Sequence, residues 1–191
     1  GNQIWGSPAA ADLDGDNYLD HFYTSDTKAQ VFRFDVDNEN KTITGGRVAH
    51  LQGGTLDKTS NRRFYYSPDI ALNKDEQTKE IYFSIAIGSG YRAHPLDTTV
   101  EDHVYVVRDT GALSKSWNMD ASLSDLLDVT SIVGDSDGDG VSDAAVEIKD
   151  NGYLGWYIDL PAKGEKILAR SITRSGKVIF TTYIPTDLNS T

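Results

Sequence analysis

Near its N-terminus the chain runs Asp12-Leu13-Asp14-Gly15-Asp16-Asn17-Tyr18-Leu19-Asp20, which places four carboxylates in nine residues. At neutral pH such closely held negative charges repel one another unless a cation lies among them. Acids at positions 1, 3, 5 and 9 and a backbone carbonyl at position 7 form an oxygen-rich site that calcium prefers. We therefore predict a calcium loop between two strands. Its predicted ligands are the side chains of Asp12, Asp14, Asp16 and Asp20 and the carbonyl of Tyr18.

The same spacing returns as Asp135-Ser136-Asp137-Gly138-Asp139-Gly140-Val141-Ser142-Asp143. Neither loop is predicted to be an EF-hand, because position 12 is Tyr23 in the first and Val146 in the second, where an EF-hand carries a bidentate Glu. Residues 21–24 and 144–148, directly after the loops, are predicted to be strands. A solvated acidic turn without metal remains the alternative, more so for the second loop. The predicted ligands of the second loop are the side chains of Asp135, Asp137, Asp139 and Asp143 and the carbonyl of Val141.

Composition excludes several classes of partner and chemistry. The 191 residues carry a net charge of −11, which argues against nucleic acid and against anionic membrane surfaces as partners. The absence of cysteine excludes disulfides, zinc–thiolate sites and thiol catalysis. No apolar stretch reaches the roughly 18 residues of a membrane span, so membrane insertion is not expected. No basic and apolar signal segment opens the chain, so an exported protein would be represented here by a mature piece or an excised fragment.

Short β-rich runs separated by Gly, Asn, Asp and Pro succeed one another along the chain. Residues 30–36 alternate between apolar and polar side chains, and residues 80–87 form an apolar run rich in β-branched and aromatic residues. Residues 122–129 are the segment that best fits a helical turn. We count about ten strands and almost no helix, which predicts an all-β fold. The other predicted strands lie within residues 42–51, 65–72, 102–109, 155–160, 166–171 and 177–183.

Many short strands with Gly-rich turns are typical of a β-sandwich or a β-propeller. A propeller blade takes roughly 40 residues, so the chain supplies about three to four blades of antiparallel sheet, whereas closed propellers have about four to eight. We therefore predict a partial, modified β-propeller over residues 1–191, forming the C-terminal part of a larger propeller domain, with the calcium loops between its strands.

Five stretches, taken in order, resemble the C-terminal domain of the type IV pilus biogenesis and tip-adhesin proteins of the PilY/PilC type. The most specific of them lies at residues 87–96, and the one at residues 155–160 is accompanied by Gly164-Glu165-Lys166. The five stretches are Gly6-Ser7-Pro8-Ala9-Ala10-Ala11-Asp12, Val31-Phe32-Arg33-Phe34-Asp35, Ile87-Gly88-Ser89-Gly90-Tyr91-Arg92-Ala93-His94-Pro95-Leu96, Gly155-Trp156-Tyr157-Ile158-Asp159-Leu160 and Phe180-Thr181-Thr182-Tyr183-Ile184-Pro185.

The resemblance implies a modified β-propeller with a calcium loop at residues 12–20. It also implies a non-enzymatic, exported protein of the pilus or cell surface that controls pilus extension and retraction, and hence twitching motility, and contributes to adhesion. Its partners would be pilins and other pilus components, together with host or surface ligands. The chain departs from the family in being shorter than a full propeller and in carrying the second acidic loop.

Other functions stay open. The acidic loops also resemble those of integrin-type FG-GAP propellers and thrombospondin-type calcium repeats, which suggests a generic calcium-stabilised adhesion module. A propeller enzyme, such as a quinoprotein-type dehydrogenase or a glycosidase, is the other alternative.

Several side chains outside the loops carry predictions of their own. His21 and His103 are predicted to lie at the surface or at a strand edge. The Gly88-Ser89-Gly90 stretch lacks a nucleophile elbow and is predicted to be a structural turn, with Arg92 paired to a nearby Asp. The three tryptophans predicted to pack in the core or between blades are Trp5, Trp117 and Trp156.

Overall fold

A computed structural model gives the structure of residues 3–53, 58–75, 78–117, 119–132, 134, 136, 138 and 142–186. The strands, in chain order, are β1 (Ala9–Ala11), β2 (His21–Ser25), β3 (Gln30–Asp37), β4 (Thr42–His50), β5 (Asp69–Lys74), β6 (Ile81–Gly88), β7 (His103–Asp109), β8 (Ala121–Ser122), β9 (Leu127–Asp128), β10 (Gly155–Asp159), β11 (Lys166–Ile167), β12 (Ile172–Arg174), β13 (Lys177–Ile179) and β14 (Thr182–Tyr183). The helices are a 3₁₀ turn at Leu123–Asp125 and α1 at Asp143–Asn151.

Two five-stranded sheets form the body of the molecule. The first has the order β1-β2-β3-β4-β8 and the second the order β5-β6-β7-β10-β9, while β11 pairs with β14 and β12 with β13. In each large sheet the first four strands run antiparallel to their neighbours. Of the described residues, 38% lie in strands and 7% in helices, and no described sheet closes on itself. The all-β prediction is confirmed, whereas the count of three to four blades stays a prediction.

The alternation in β3 sets which face of the first sheet lies inside. Val31, Arg33 and Asp35 are buried, while Phe32 and Phe34 between them are only partly buried. Side chains along a strand alternate between the two faces, so Val31 and the two charged residues share the inner face. The outer face carries Phe22 and Phe34, whose rings stack with centroids 4.6 Å apart.

The core lies between the two sheets. Side chains of the first sheet, such as Tyr23 and Val31, pack there with side chains of the second, such as Phe83, Ile85 and Tyr105. In the second sheet β6 and β7 are buried along nearly their whole length. Strands buried on both faces require a continuous apolar run, which is what residues 81–87 supply.

One short segment completes both sheets. The strand β8 pairs in parallel with β4, and β9 pairs in parallel with β10. Between them lies the 3₁₀ turn at Leu123–Asp125, where Ser122 and Asp125 form a capping box. The predicted helical turn is thus confirmed, and the residues around it tie the end of one sheet to the end of the other.

The prediction of a strand over residues 144–148 is wrong, because α1 occupies this segment. Short apolar runs fit either state, and Ala144 and Ala145 favour the helix. The helix ends at Gly152, which adopts φ +70° in the left-handed region that suits a C-terminal glycine.

Three further predictions are wrong or only partly right. His21 and His103 are buried, at 1% and 5% exposure, rather than lying at the surface. Trp5 is 58% exposed and Trp117 38% exposed, so neither is a core residue. Arg92 lies over the ring of Tyr66, 5.6 Å from its centroid, and forms no ion pair with an Asp of the described residues.

Candidate metal centre

The first acidic loop is the turn that joins β1 to β2, so both of its ends are held by strands. The N–H of Asp20 donates to the carbonyl of Ala11 at 3.0 Å, which closes the loop at its base. The N–H of Val36 in β3 donates to the carbonyl of Asp20 at 2.8 Å, and Asn38 Nδ2 donates to the carbonyl of Leu19 at 3.1 Å. The loop is therefore fixed to the edge of the first sheet.

Inside the loop the carboxylates accept hydrogen bonds from the backbone. Asp12 accepts from the N–H groups of Gly15 at 2.7 Å and Asn17 at 2.9 Å. Asp20 closes the loop from the other side by accepting from the N–H of Leu13 at 2.7 Å. Gly15 adopts φ +77°, as expected for the residue that turns the chain sharply.

These bonds bring Asp12, Asp14 and Asp20 together, with one carboxylate oxygen from each lying within 4.8 Å of the others. Calcium binds oxygen at about 2.3–2.6 Å, so ligand oxygens around one ion lie up to about 5 Å apart. The three carboxylates therefore fit a calcium ion. Asp16 does not belong to this group, and its Oδ1 accepts from the N–H of Tyr18 at 2.7 Å. Its role as a ligand, like that of the Tyr18 carbonyl, stays a prediction.

The described part of the second loop repeats three features of the first. Asp143 N–H donates to the carbonyl of Gly134 at 3.0 Å, the counterpart of the bond from Asp20 to Ala11. Ser136 N–H donates to Asp143 at 3.2 Å, the counterpart of the bond from Leu13 to Asp20. Gly138 adopts φ +76°, within a degree of its counterpart Gly15. The two loops thus share local backbone geometry as well as acid spacing.

The remaining predicted ligands of the second loop lie outside the described residues. They are Asp135, Asp137, Asp139 and Val141. Asp143 is the first residue of α1, and its carboxylate is turned back onto the loop through its bond with Ser136. The second loop differs from the first in leading into a helix rather than a strand.

Directly after the first loop begins a buried network of charged side chains that no sequence pattern indicated. His21 Nδ1 lies 2.7 Å from Asp35 Oδ1, and Arg33 Nε lies 2.9 Å from the same oxygen. Arg33 Nη1 then reaches Asp109 of β7 at 2.9 Å, which also accepts from the hydroxyl of Tyr23 at 3.0 Å. The network runs from the residue next to Asp20 to the neighbouring sheet.

Burial and charge determine the electrostatics of this network. Burial lowers the pKa of Arg33, but the interactions with Asp109, Asp35 and Tyr23 together outweigh it, and the net direction is upward. Burial and then Asp109 raise the pKa of Tyr23, whose phenol stays protonated and donates its hydrogen bond. The guanidinium also stacks on Trp117, 4.1 Å from the ring centroid. The buried charges in this part of the interior are thus paired with one another.

Ser89 illustrates why the Gly88-Ser89-Gly90 stretch is structural. Its side chain is buried, donates to Asp102 Oδ1 at 2.6 Å and accepts from the N–H of His103 at 3.0 Å. Burial raises the pKa of Asp102 to about 6, despite the opposing hydrogen bond from Ser89. The hydroxyl is thus committed to holding the start of β7, as predicted for a structural turn.

Comparisons with known proteins bear on the fold. No protein-family model matches the chain, and no curated protein matches it. Among solved structures, the crystal structure of the Pseudomonas aeruginosa PilY1 C-terminal domain superposes with a TM-score of 0.63 and 17% sequence identity, covering 96% of this chain. The fold is that of a PilY1-like C-terminal domain.

This PilY1 likeness confirms, at the level of the fold, the resemblance drawn from the sequence. The chain spans 45% of the length of the PilY1 chain, so less than half of that structure has a counterpart here. Within the part of the chain that the structure describes, no helix has both the length and the apolar character to cross a membrane.

Proposed function

We propose that the chain is part of a calcium-binding, non-enzymatic protein of the type IV pilus system, acting in pilus biogenesis and surface attachment. The observation that carries the proposal is the convergence of Asp12, Asp14 and Asp20 in the β1–β2 turn of a PilY1-like fold. The protein would be exported to the pilus or cell surface, and its partners would be pilins, other pilus components and surface ligands.

The loop carboxylates would hold calcium, which supplies positive charge that offsets their mutual repulsion. Asp12 and Asp20 would have two roles, because each is a proposed calcium ligand and each also accepts a backbone N–H that fixes the loop. Among the described residues, Asp14 accepts from the N–H of Asp16 alone, at 3.1 Å. The loop is therefore shaped by its own acids, and little of its backbone has to rearrange for binding.

Asp20 links the loop to the interior of the domain. The next residue, His21, contacts Asp35, which with Arg33 and Asp109 bridges the two sheets. Calcium bound to Asp20 would restrain the next residue, His21, and with it the position of the β1–β2 connection relative to the buried ion pairs. We propose that calcium controls pilus extension, retraction and attachment through the rigidity of this connection, not through a chemical step.

Calcium titration by calorimetry tests the metal site. The expected dissociation constant is about 10⁻⁴–10⁻³ M or somewhat lower, with poor competition from magnesium, which demands a stricter octahedral geometry. Asp14→Asn should raise it at least tenfold, whereas Glu80→Gln, which changes an exposed acid before β6, should leave it unchanged. A wild-type chain that takes up no calcium would refute the site.

The pilus role is tested in cells that carry the whole protein. Replacement by the Asp14→Asn form should alter twitching and surface attachment while the Glu80→Gln form behaves as wild type. Normal twitching and attachment by a form shown to have lost calcium would separate the metal site from pilus control and overturn their connection.

A further inference from the structure

The stretch Gly88-Ser89-Gly90-Tyr91-Arg92-Ala93-His94 plays no part in the calcium site, yet its start is held unusually tightly. Gly90 N–H donates to the carbonyl of Arg63 at 3.0 Å, and Ile167 N–H donates to the carbonyl of Ser89 at 2.9 Å. A Cβ added to Gly88 or Gly90 would lie 2.3 Å from an atom of Ile167. The Cβ on Gly88 would meet the Ile167 side chain and the one on Gly90 the Ile167 backbone, so glycine is required where β11 approaches this closely.

The far end of this stretch is held by a buried lysine. Lys166, at 1% exposure, donates from Nζ to the carbonyl of Pro95 at 3.0 Å and to the carbonyl of Asp97. His94 N–H donates to the carbonyl of Tyr91 at 3.1 Å, which makes a tight turn between the two anchors. Tyr91, Arg92 and His94 are thus presented from a loop fixed at both ends.

Aromatic side chains from two other segments continue from this loop. The centroid of the Tyr91 ring lies 4.7 Å from that of His94 and 6.3 Å from that of Tyr65, whose plane is within 17° of its own. Tyr65 in turn lies 6.3 Å from Trp5. We name these four rings, together with Tyr66, Arg63 and Arg92, the aromatic–arginine surface.

The N-terminal segment that carries Trp5 is packed closely against residues 66–67. A Cβ added to Gly6 would lie 2.5 Å from the backbone nitrogen of Ser67, and the Ser67 hydroxyl donates to the carbonyl of Ser7. Trp5 is nevertheless 58% exposed. Trp5 is continuous with the rings of Tyr65 and Tyr91, and contiguous aromatic patches at a surface mark binding sites.

The charge on this surface differs from that of the chain as a whole. The guanidinium of Arg63 lies 3.7 Å from the Tyr91 ring centroid, and that of Arg92 lies 5.6 Å from the Tyr66 ring centroid. Among the ion pairs of the described residues, neither arginine has a carboxylate partner. In a chain of net charge −11 the surface therefore presents two guanidinium groups beside half-buried tyrosine rings.

We propose that the aromatic–arginine surface binds an acidic saccharide chain, a role that rests on the proposed function in surface attachment. Carboxylate or sulfate groups of the saccharide would pair with Arg63 and Arg92, for which the planar guanidinium is well suited. The C–H faces of the sugar rings would pack on Trp5, Tyr65 and Tyr91, which combine apolar faces with polar edges.

An extended peptide is disfavoured as the ligand. Residues 89–102 and 60–68 form no strand in the structure, so this surface has no strand edge to which a peptide could add. The negative charge elsewhere on the chain does not prevent anion binding, because at physiological salt charges beyond about 8 Å are largely screened.

The proposal is tested by calorimetry, in which three probes are titrated into the chain in buffer that contains calcium. The probes are a heparin-derived hexasaccharide, neutral maltohexaose and a hexaglutamate peptide. The variants are Trp5→Ala and Arg63→Gln, and the matched control is Arg174→Gln, which changes an exposed arginine on β12. Urea unfolding of each variant shows whether the fold is kept, and Trp5→Ala, at an exposed side chain, is expected to keep it.

Support would be saturable binding of the heparin hexasaccharide that Trp5→Ala and Arg63→Gln each weaken at least tenfold and Arg174→Gln changes less than twofold. The proposal is overturned if no saturable binding occurs, if maltohexaose or hexaglutamate binds as tightly, or if Trp5→Ala is within twofold of wild type. Calcium titration of the same variants separates the two sites, because Trp5→Ala should keep calcium affinity whether or not the saccharide binds.

Discussion

Arg33 of β3 and Asp109 of β7 form an ion pair that joins the two large sheets inside the molecule. The guanidinium Nη1 lies 2.9 Å from each oxygen of the carboxylate. The two side chains are 1% and 0% exposed, so neither charge is solvated by water. Each side chain therefore depends on its partner, and the connection between the sheets depends on both.

Asp109→Ala should destabilise the fold strongly. The change leaves the buried charge of Arg33 with Asp35 alone and removes the acceptor of the Tyr23 hydroxyl. Breaking a buried pair on one side typically costs about 3–5 kcal/mol. Urea unfolding followed by tryptophan fluorescence measures the loss.

The matched control for this change is Asp120→Ala. Asp120 pairs with Arg47 at 2.6 Å, but the two side chains are 43% and 39% exposed. Exposed pairs contribute about 0–1 kcal/mol. If Asp109→Ala lowers the unfolding free energy no more than Asp120→Ala, the buried pair does not hold the sheets together.

Calcium should stabilise the folded chain, because the ion binds the arranged loop of the native state and not the unfolded chain. At a free calcium concentration one hundred times the dissociation constant, the gain is about 2.7 kcal/mol. A chelator should therefore lower the melting temperature of the wild type, and Asp14→Asn should remove the share of the difference that comes from calcium in the first loop. Identical melting curves in chelator and in millimolar calcium would count against the site.

The sequence predicted β3 from its alternation, but it did not show what its charged residues contact. Arg33 and Asp35 lie on the inner face because they pair there with Asp109 and His21. Asp109 is 76 residues away in the chain, and an isolated sequence carries no information on such a pairing. His21 was wrongly predicted to lie at the surface for the same reason, because its partner Asp35 could not be identified from the sequence.

The backbone of the acidic loops was more predictable than the helix α1, which follows the second loop. Their geometry is local, because carboxylates three to seven residues apart accept the loop's own N–H groups. The helix α1 was missed because its apolar residues also fit a short strand. Ser142 at the N-cap position and Gly152 after the last turn are the boundary signals that would have identified it.

Both acidic loops should bind calcium, giving a stoichiometry near two. Asp143 repeats the backbone bonds of Asp20, which supports the same arrangement in the second loop. Asp139→Ala should remove one site and leave the other with unchanged affinity, and Asp16→Ala should do the converse. Calorimetric stoichiometry measures both effects. A single site that survives Asp139→Ala and disappears in Asp16→Ala would make the second loop a metal-free surface feature.

Asp102 should make the stability of the chain depend on pH. Its carboxyl is 2% exposed, and burial raises its pKa from 3.8 to about 6. Between these values the native state keeps the proton and the unfolded chain loses it. The stabilisation from Asp102 is therefore fully present below pH 3.8 and is lost as the pH rises through 6.

Asp102→Asn should consequently gain stability relative to wild type as the pH rises from 4 to 8. The amide oxygen can still accept from Ser89, but it never carries the buried charge. At 1.36 kcal/mol per pKa unit the relative gain reaches about 3 kcal/mol. His103, whose pKa burial lowers to about 3, destabilises wild type and variant alike on acidification, so it cancels in their difference. Urea unfolding of both forms across this range measures that difference. A difference that stays constant from pH 4 to 8 would mean that Asp102 titrates alike in the native and unfolded states.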